Sequence, residues 1–443
     1  MRLTLDDLAT ATGGSLHGDP TTVIDGLSID TRSLAPGAGF VALVAERDGH
    51  DFVPAAVEAG ATGVLASRPQ PGVAVPVVQV EDTASALLAV GGLARSRLPD
   101  RVVGITGSVG KTSTKDLLAA VLRSRWVTAA SERSFNNEIG VPLTLVGAAD
   151  DTGATVVEMG ARSPGHVALL CGVARPTAAI VTSVAAAHLE MFGSIDEVAR
   201  AKGELVEALP PTGVAVLNAE DERVRAMASR TSARVLTYGL GEVDAEVRAA
   251  SLELDELLRP RLRLLTPWGD AEVSLAVHGA HQAANAVAAA ACALALGVDL
   301  DDVVEALAGA TVSGLRMEIT RAPSGAVVVN DAYNANPTST LAGLDALAAL
   351  PAAGRRVAVF GPMAELGAEG DRLHREVAAH AAGRGIRVIS VAAPGYGIEG
   401  IDAVADVDSA VALLGDLGDG DAVLVKGSRV AALERVATAL LAL

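Results

Sequence analysis

One short run, Gly104-Ile-Thr-Gly-Ser-Val-Gly-Lys-Thr-Ser-Thr114, does most to restrict the fold of this chain. It follows the apolar residues Val102, Val103 and Ile105 and precedes Leu117, Leu118, Val121 and Leu122, whose spacing gives a helix one apolar face. A strand, a glycine turn and an amphipathic helix in that order make a phosphate-binding unit. Gly107 and Gly110 permit a tight turn with N–H groups facing phosphate oxygens, Lys111 brings a positive charge, and the Thr112 hydroxyl can reach Mg²⁺. Thr106, Gly107, Ser108, Val109, Gly110, Lys111, Thr112 and Ser113 are therefore the expected triphosphate site, with Lys111 as a catalytic cation. Ile105 stands where the strict Walker pattern has glycine, so the match is to the shorter form T-G-x-x-G-K-T. A glycine turn of purely structural use is the competing reading.

From Arg101 the chain alternates regularly. Apolar runs at Val102 to Thr106, Thr155 to Met159, Ala179 to Ser183 and Val214 to Leu217 are interleaved with helical patterns, as in a parallel, doubly wound sheet. Before it, runs at Phe40 to Val44, Gly63 to Ala66 and Val75 to Val80 alternate with helical segments at Phe52 to Glu58 and Thr83 to Ser96, ending at Leu98-Pro99-Asp100. The stretch Val243 to Val277 is more alternating and β-like. Beyond Ser313-Gly314, strands are expected at Ala326 to Val329, Arg356 to Phe360, Val388 to Val391 and Ala422 to Val425. The class is α/β. A chain of 443 residues should hold about three domains: an N-terminal α/β domain (1–99), a central P-loop parallel-sheet domain (100–313) and a C-terminal Rossmann-like α/β domain (314–443).

Half the residues are hydrophobic but only 2% are aromatic, so the cores must be built from Ala, Val and Leu. The formal charge of −18 argues against a nucleic-acid binder or a protein of anionic membranes, and anionic ligands must meet locally concentrated cations. Met1 to Asp7 carry two acids and no long apolar core, unlike a secretory or transit signal, and a cytoplasmic location is expected. The apolar run Ala286 to Val298 is shorter than the about 20 residues that cross a bilayer and reads as a buried helix. Cys171 and Cys292 lie in apolar segments without metal-ligand spacing and read as reduced core cysteines. A monomer is the working expectation.

Several further groups could carry chemistry. Glu158 ends an apolar run, where it is equally a second Mg²⁺ ligand or a solvated strand end. His188 follows another strand and could join a metal site, although a lone histidine is more often structural. Lys202 lies in a helical pattern, where a lysine is normally a solvated cation. Asn136 and Asn137 offer two amides at a turn, for phosphate or substrate or for the turn alone. Asn330-Asp331-Ala-Tyr333-Asn334-Ala-Asn336-Pro337 ends a strand and caps a helix, with Asn336 before the proline.

Taken in order, Thr106 to Thr112, Ser134-Phe-Asn-Asn-Glu-Ile-Gly-Val-Pro142, Glu158-Met-Gly-Ala161, Ala187-His-Leu-Glu-Met-Phe-Gly-Ser194 and Ala201-Lys-Gly-Glu204 resemble the Mur ligases, ATP-dependent amide-forming enzymes of peptidoglycan precursor synthesis. The resemblance covers nearly the whole chain. Asp331-Ala-Tyr-Asn-Ala-Asn-Pro-Thr-Ser339 looks like the member that adds D-alanyl-D-alanine to UDP-N-acetylmuramoyl-tripeptide, through an acyl phosphate. Ser28-Ile-Asp-Thr-Arg32, Pro36-Gly37, Phe40-Val-Ala42 and Asp48-Gly-His-Asp-Phe52 resemble a UDP-binding domain. The resemblance implies that Ser28, Thr31, Arg32, Asn136 and Asn137 hold the UDP-linked substrate, and that Thr112 and Glu158 bind one of two Mg²⁺ ions. It also implies that His188 and a carbamylated Lys202 serve the other. Asn285 would contact adenine, and Arg316, Asp331, Asn334 and Asn336 would reach the nucleotide from the third domain, with Lys111, His188, Lys202 and Arg316 as catalytic groups.

Three departures stand out: Gln282 where the family commonly has Asn, Pro362 where it has Asp, and a shortened loop at Ala45-Glu-Arg-Asp48. Pro362 removes both a carboxylate and a backbone donor. The rival readings are a Mur-type ligase with another acceptor, an ATP-driven P-loop switch, and a paralogue that binds nucleotide without turnover.

Overall fold

The computed structural model describes residues 1–186, 189–397 and 399–442. Among these residues the strands form sheets of five, nine and six strands, with a two-stranded ladder at the N-terminus. The α/β class is as expected.

The nine-stranded sheet is the frame for the phosphate loop. Strands Thr128–Ala130, Ala154–Glu158, Val102–Thr106, Ala178–Val181, Val214–Asn218, Arg234–Leu240 and Val247–Leu254 lie side by side in parallel. Pro260–Thr266 and Gly269–Ser274 continue it antiparallel. The alternating stretch read as β-like thus extends this sheet. Every residue of Val102–Thr106 and Ala154–Glu158 is buried, which is why the run is continuously apolar instead of alternating. Later strands add on the opposite side of Val102–Thr106 from the two that follow it, so the chain switches direction at that strand, where α/β sheets open a ligand crevice.

The scarcity of aromatics shows in the packing. Helix His281–Ala295 lies on the phosphate-loop helix Lys111–Leu122, and Ala283, Ala286, Ala288, Ala289, Ala290 and Ala291 are all buried there. Small side chains let two backbones approach closely, so dispersion contacts are gained by proximity in place of side-chain bulk.

Strands Ser15–His17, Val77–Gln79, Gly63–Ala66, Gly39–Val41 and Leu27–Ser28 make the five-stranded sheet. Helix Thr83–Arg97 packs from it onto helices Gly140–Val146 and His166–Ala174 of the central region. A Cβ on Gly91 would sit 2.5 Å from Pro142 Cβ, so only glycine allows this approach. One hydrophobic cluster runs unbroken from Leu3, Leu5 and Leu87 to Val157, Val181 and Leu205.

In the six-stranded sheet, Glu318–Arg321 pairs antiparallel with Val327–Asn330, and Ala422–Lys426, Arg356–Phe360, Arg387–Val391 and Asp402–Val404 follow in parallel. Asn336 caps helix Pro337–Ala349 in a reciprocal capping box with Ser339, and Pro337 is the first helical residue. No helix among the described residues is long and apolar enough to cross a membrane. Cys171 and Cys292 are free and buried, as read.

Candidate active site

Gly110 (φ +87°) is the N-cap of helix Lys111–Leu122, and no side chain caps that end. The first N–H groups of a helix lack intrahelical acceptors, so this terminus is an open anion site. Gly107 has φ +150°, and a Cβ there would stand 1.8 Å from Thr182 Oγ1; one at Gly110 would stand 2.5 Å from Asn285 Oδ1. Both glycines are required by close approach as well as by backbone angle.

Two loop amides are used differently from expectation. Ser108 N donates to Ser183 O at 2.8 Å and Val109 N to Ser183 Oγ at 3.1 Å, which ties the loop to the end of the neighbouring strand. The donors left without an intrahelical acceptor are those of the helix's first turn, around Lys111, Thr112 and Ser113. Lys111 Nζ reaches back across the loop to Gly107 O at 2.7 Å. Burial lowers its proton affinity and Arg316 lowers it further, while Glu158 opposes the shift. Thr106 is buried, with its hydroxyl donating to Met159 O at 2.8 Å, and holds two strands together.

Glu158 is 1% exposed, so it is no solvated strand end. Strand register sets it opposite Ile105, at the root of the phosphate loop. Its Oε2 accepts from the Thr112 hydroxyl at 2.8 Å and its Oε1 from Asn136 Nδ2 at 2.8 Å. Ser131 Oγ accepts from Glu158 N at 3.0 Å. Asn136, taken as a contact of the UDP-linked substrate, is therefore a partner of this carboxylate. Asn137 instead accepts from Gly140 N at 2.9 Å at the start of helix Gly140–Val146.

Lys202, on helix Ile195–Glu207, is 3% exposed, which corrects the view of it as a solvated cation. Among the described residues its ammonium makes no hydrogen bond or ion pair, and burial followed by repulsion from Lys111 pushes its proton affinity well down. The flanking residues explain its fixed place. Glu204 accepts from Gly165 N at 2.6 Å and Ala168 N at 2.9 Å, capping the neighbouring helix His166–Ala174. A Cβ on Gly203 would fall 1.8 Å from the Arg230 guanidinium. His188 lies outside the described residues.

The third sheet meets this centre through Arg316. Its Nη2 donates to Thr112 Oγ1 at 3.0 Å and Ser134 Oγ at 3.1 Å, and its guanidinium lies 4.1 Å from the Tyr333 ring centroid. Its Nε is buried without a hydrogen-bond partner. Leu315 (φ +62°) and Met317 (φ +55°) flank it in left-handed conformations, a strained backbone held by its surroundings. Asp331 Oδ1 accepts from Met317 N at 3.2 Å, and Lys426 Nζ donates to Asp331 Oδ2 at 2.6 Å and Asn334 O at 2.9 Å. Lys426 thus holds the turn between Asp331 and Asn334 in place. Ser428 N donates to Pro362 O at 3.0 Å and Ser428 Oγ accepts from Ala364 N at 2.9 Å, so the proline-bearing loop stays anchored. The Asn336 side-chain oxygen Oδ1 accepts from Ser339 N at 2.9 Å.

Asn285 Oδ1 accepts from Thr114 Oγ1 at 3.2 Å, and its Nδ2 donates to Gln282 Oε1 at 2.9 Å, beside the loop. Ser28, Thr31 and Arg32 sit in one turn that closes on itself: Ser28 Oγ donates to Asp30 O at 3.1 Å, and Arg32 pairs with Asp30 at 2.6 Å. Strand Leu27–Ser28 contacts helix Gly140–Val146, so this turn adjoins the Asn136–Gly140 loop.

A cavity of about 1170 Å³ lies elsewhere, lined by Arg95, Asp100, Arg175, Thr177, Gly213 and Arg234 before the strands begin. Arg95 Nε donates there to Ala174 O at 2.8 Å. Arg95 lies in the last turn of helix Thr83–Arg97 and Arg175 follows helix His166–Ala174, where their charges offset the negative ends of those helices.

Two family models match the chain: the Mur ligase middle domain over residues 105–293 and the Mur ligase glutamate ligase domain over residues 315–429. The chain belongs to the Mur ligase family. Among its relatives, the UDP-N-acetylmuramoyl-tripeptide--D-alanyl-D-alanine ligase of Mycobacterium tuberculosis is 40% identical over 100% of this chain and 98% of its own length. The crystal structure of MurF from Acinetobacter baumannii matches with a TM-score of 0.90 at 30% identity, covering 100% of this Mur ligase and 99% of that chain. The MurF ligase of Thermotoga maritima, solved in complex with ADP, matches with a TM-score of 0.82 at 26% identity, covering 94% and 97%.

The donor set of this Mur ligase fits Mg²⁺. A threonine hydroxyl and a buried carboxylate are hard oxygen donors at a phosphate loop, and Mg²⁺ commonly takes one or two protein ligands with the rest from phosphates and water. Among the described residues no three His, Cys, Asp or Glu side chains gather as a metal cluster.

Proposed function

We propose that this chain is the ATP-dependent amide ligase that joins D-alanyl-D-alanine to UDP-N-acetylmuramoyl-tripeptide, producing the pentapeptide precursor of peptidoglycan. The observation that carries this reading is the 40% identity along the whole chain to a ligase whose name states both substrates. The geometry supports the ATP half: Lys111, Thr112, Glu158 and Arg316 converge at one helix N-terminus.

The reaction transfers the γ-phosphoryl group of ATP to the terminal carboxylate of the tripeptide. The amine of D-alanyl-D-alanine then attacks the acyl phosphate, its nitrogen forming the amide as phosphate leaves. A carboxylate and a triphosphate repel each other, so positive charge must be in place before they meet. Lys111 and the helix N–H groups hold the phosphates from one side, and Arg316 approaches from the third sheet. Mg²⁺ on Thr112 and Glu158 would neutralise phosphate charge when bound, with a second ion served by His188 and Lys202.

Lys202 is read as carbamylated: its neutral amine adds to CO₂, forming an N–C bond and losing one proton, which turns a buried cation into a carboxylate-like group. Its burial without a hydrogen-bond or ion-pair partner among the described residues supports this. Asp331, Asn334 and Asn336 are read as nucleotide contacts from the third sheet, with Asn336 contributing its amide nitrogen, and Asn285 as the adenine contact. Ser28, Thr31, Arg32, Asn136 and Asn137 are read as the UDP-substrate side, Asn136 being also bonded to Glu158. The enzyme is taken to work as a cytoplasmic monomer without nucleic acid or membrane.

The test is phosphate release from ATP with UDP-N-acetylmuramoyl-tripeptide, with and without D-alanyl-D-alanine, followed by mass analysis. Release that needs both substrates and yields the pentapeptide is expected. Turnover indifferent to both would replace the ligase with an ATP-driven switch.

A further inference from the structure

Thr112 and Asp116 are four residues apart on the phosphate-loop helix, so they share one face about one turn, or roughly 6 Å, apart. The segment joining the central and third regions docks on that face at two points. Arg316 Nη2 donates to Thr112 Oγ1 at 3.0 Å. Ser313 donates to Asp116 Oδ2 twice, from its backbone N and from its hydroxyl, each at 2.7 Å. Asp116 is itself fixed: Lys115 Nζ lies 2.8 Å from its other oxygen, and Lys115 in turn donates to Ser131 O at 2.7 Å and Arg133 O at 3.0 Å.

We infer that Asp116 is a positioning residue for the ligase reaction, clamping Ser313 so that Arg316 is delivered to the phosphate end of the nucleotide. Three residues of chain span at most about 11 Å, so a fixed Ser313 confines Arg316 to the neighbourhood of Thr112. The third sheet grips the same segment from the other side. Tyr333 N donates to Leu315 O at 3.2 Å, and Asp331 Oδ1 accepts from Met317 N at 3.2 Å. The strained angles at Leu315 and Met317 show that neither grip alone sets the path of this joint. Without Asp116 the third sheet still carries Arg316, but its arc relative to Thr112 is no longer set.

This inference rests on the proposed role of Arg316 at the phosphates, and its test is arranged to separate the two. Affinity for a non-hydrolysable ATP analogue with Mg²⁺ is measured by calorimetry for wild type, Asp116→Ala, Arg316→Ala and the double variant, alongside kcat and both KM values. Asp116→Ala is expected to weaken the analogue and lower kcat about tenfold, with KM for the UDP-linked substrate unchanged. In the Arg316→Ala background the same change should cost almost nothing further, because the clamp acts through that arginine. Asp116→Asn, which keeps one acceptor, should fall between wild type and alanine, and Ser313→Ala, which keeps the backbone donor, should lose two- to threefold. Additive losses in the double variant, or a parallel rise in the UDP-substrate KM, would show Asp116 to be merely structural. An Arg316→Ala protein that binds the analogue like wild type removes the premise and the inference with it. The binding cycle decides the matter even if wild type fails to ligate.

Discussion

Thr112 donates its hydroxyl hydrogen to Glu158 across 2.8 Å, joining the first turn of the phosphate-loop helix to the end of the adjacent strand. The carboxylate is almost wholly buried yet has no cation bonded to it, only neutral donors. Glu158→Gln keeps the size of the side chain and one of its two acceptor oxygens and removes its charge. Ligation should fall about 100- to 1,000-fold, in the range of losing one electrostatic stabiliser. The Mg²⁺ needed for half activity should rise and the melting temperature barely move. A magnesium titration checks this, and near-normal activity would remove Glu158 from the metal site.

Lys202→Met should inactivate the enzyme and stabilise it. The native site lowers the proton affinity of Lys202, so the unfolded chain binds more protons at all pH values between the depressed native pKa and 10.5. Wild-type stability therefore gains from rising pH across that window, and the burial penalty is fullest below it. In CO₂-depleted buffer without nucleotide, the variant should melt higher than wild type at pH 7, with the gap narrowing by pH 9.5. A variant that melts lower at pH 7 would mean that the amine has an attractive partner.

Arg316→Lys preserves charge but not shape. An ammonium cannot stack flat on Tyr333 while donating to both Thr112 and Ser134. We expect kcat to drop about 100-fold with the UDP-substrate KM unchanged. Recovery of wild-type kcat at saturating ATP would show that Arg316 only aids binding.

Gly107→Ala should cost more than the backbone angle alone. Strain at such a φ is about 1–3 kcal/mol, and here the added Cβ would also meet Thr182 Oγ1 at 1.8 Å. Nucleotide affinity should collapse while the rest of the fold survives, measured as loss of the melting-temperature rise that ATP produces. Gly72→Ala, also at positive φ but with open space around its Cβ position, serves as the control and should leave that rise intact.

Much of the frame was legible because buried parallel strands are continuous apolar runs. Val102 to Thr106 and Arg356 to Phe360 match their strands end to end. Ala179 to Ser183 stops instead at Val181, because Thr182 and Ser183 leave the sheet to brace the phosphate loop. The strands Arg2–Thr4, Ser15–His17, Val23–Asp25 and Leu27–Ser28 went unseen: two or three residues of mixed polarity carry no period.

At the site, residue types were readable and their surroundings were not. Glu158 could not be told from a solvated strand end, since its burial depends on Ser131, Ser134 and Asn136 from a separate loop. Lys115 and Asp116 gave no signal, because each acts by bonding to a segment distant in sequence. Neighbouring asparagines with one label, Asn136 and Asn137, face different tasks because a turn points them apart.

The unbroken hydrophobic cluster from Leu3 to Leu205 has a mechanical consequence. The five-stranded sheet and the sheet that bears the phosphate loop share one core, with Gly91 seated on Pro142 as the weld. The third sheet has two clusters nearly its own, with Leu258 as the apolar guest from the central region. Three sheets thus rest on two separate sets of cores, and Arg316 bridges them, bonded to Thr112 on one side and lying against Tyr333 on the other.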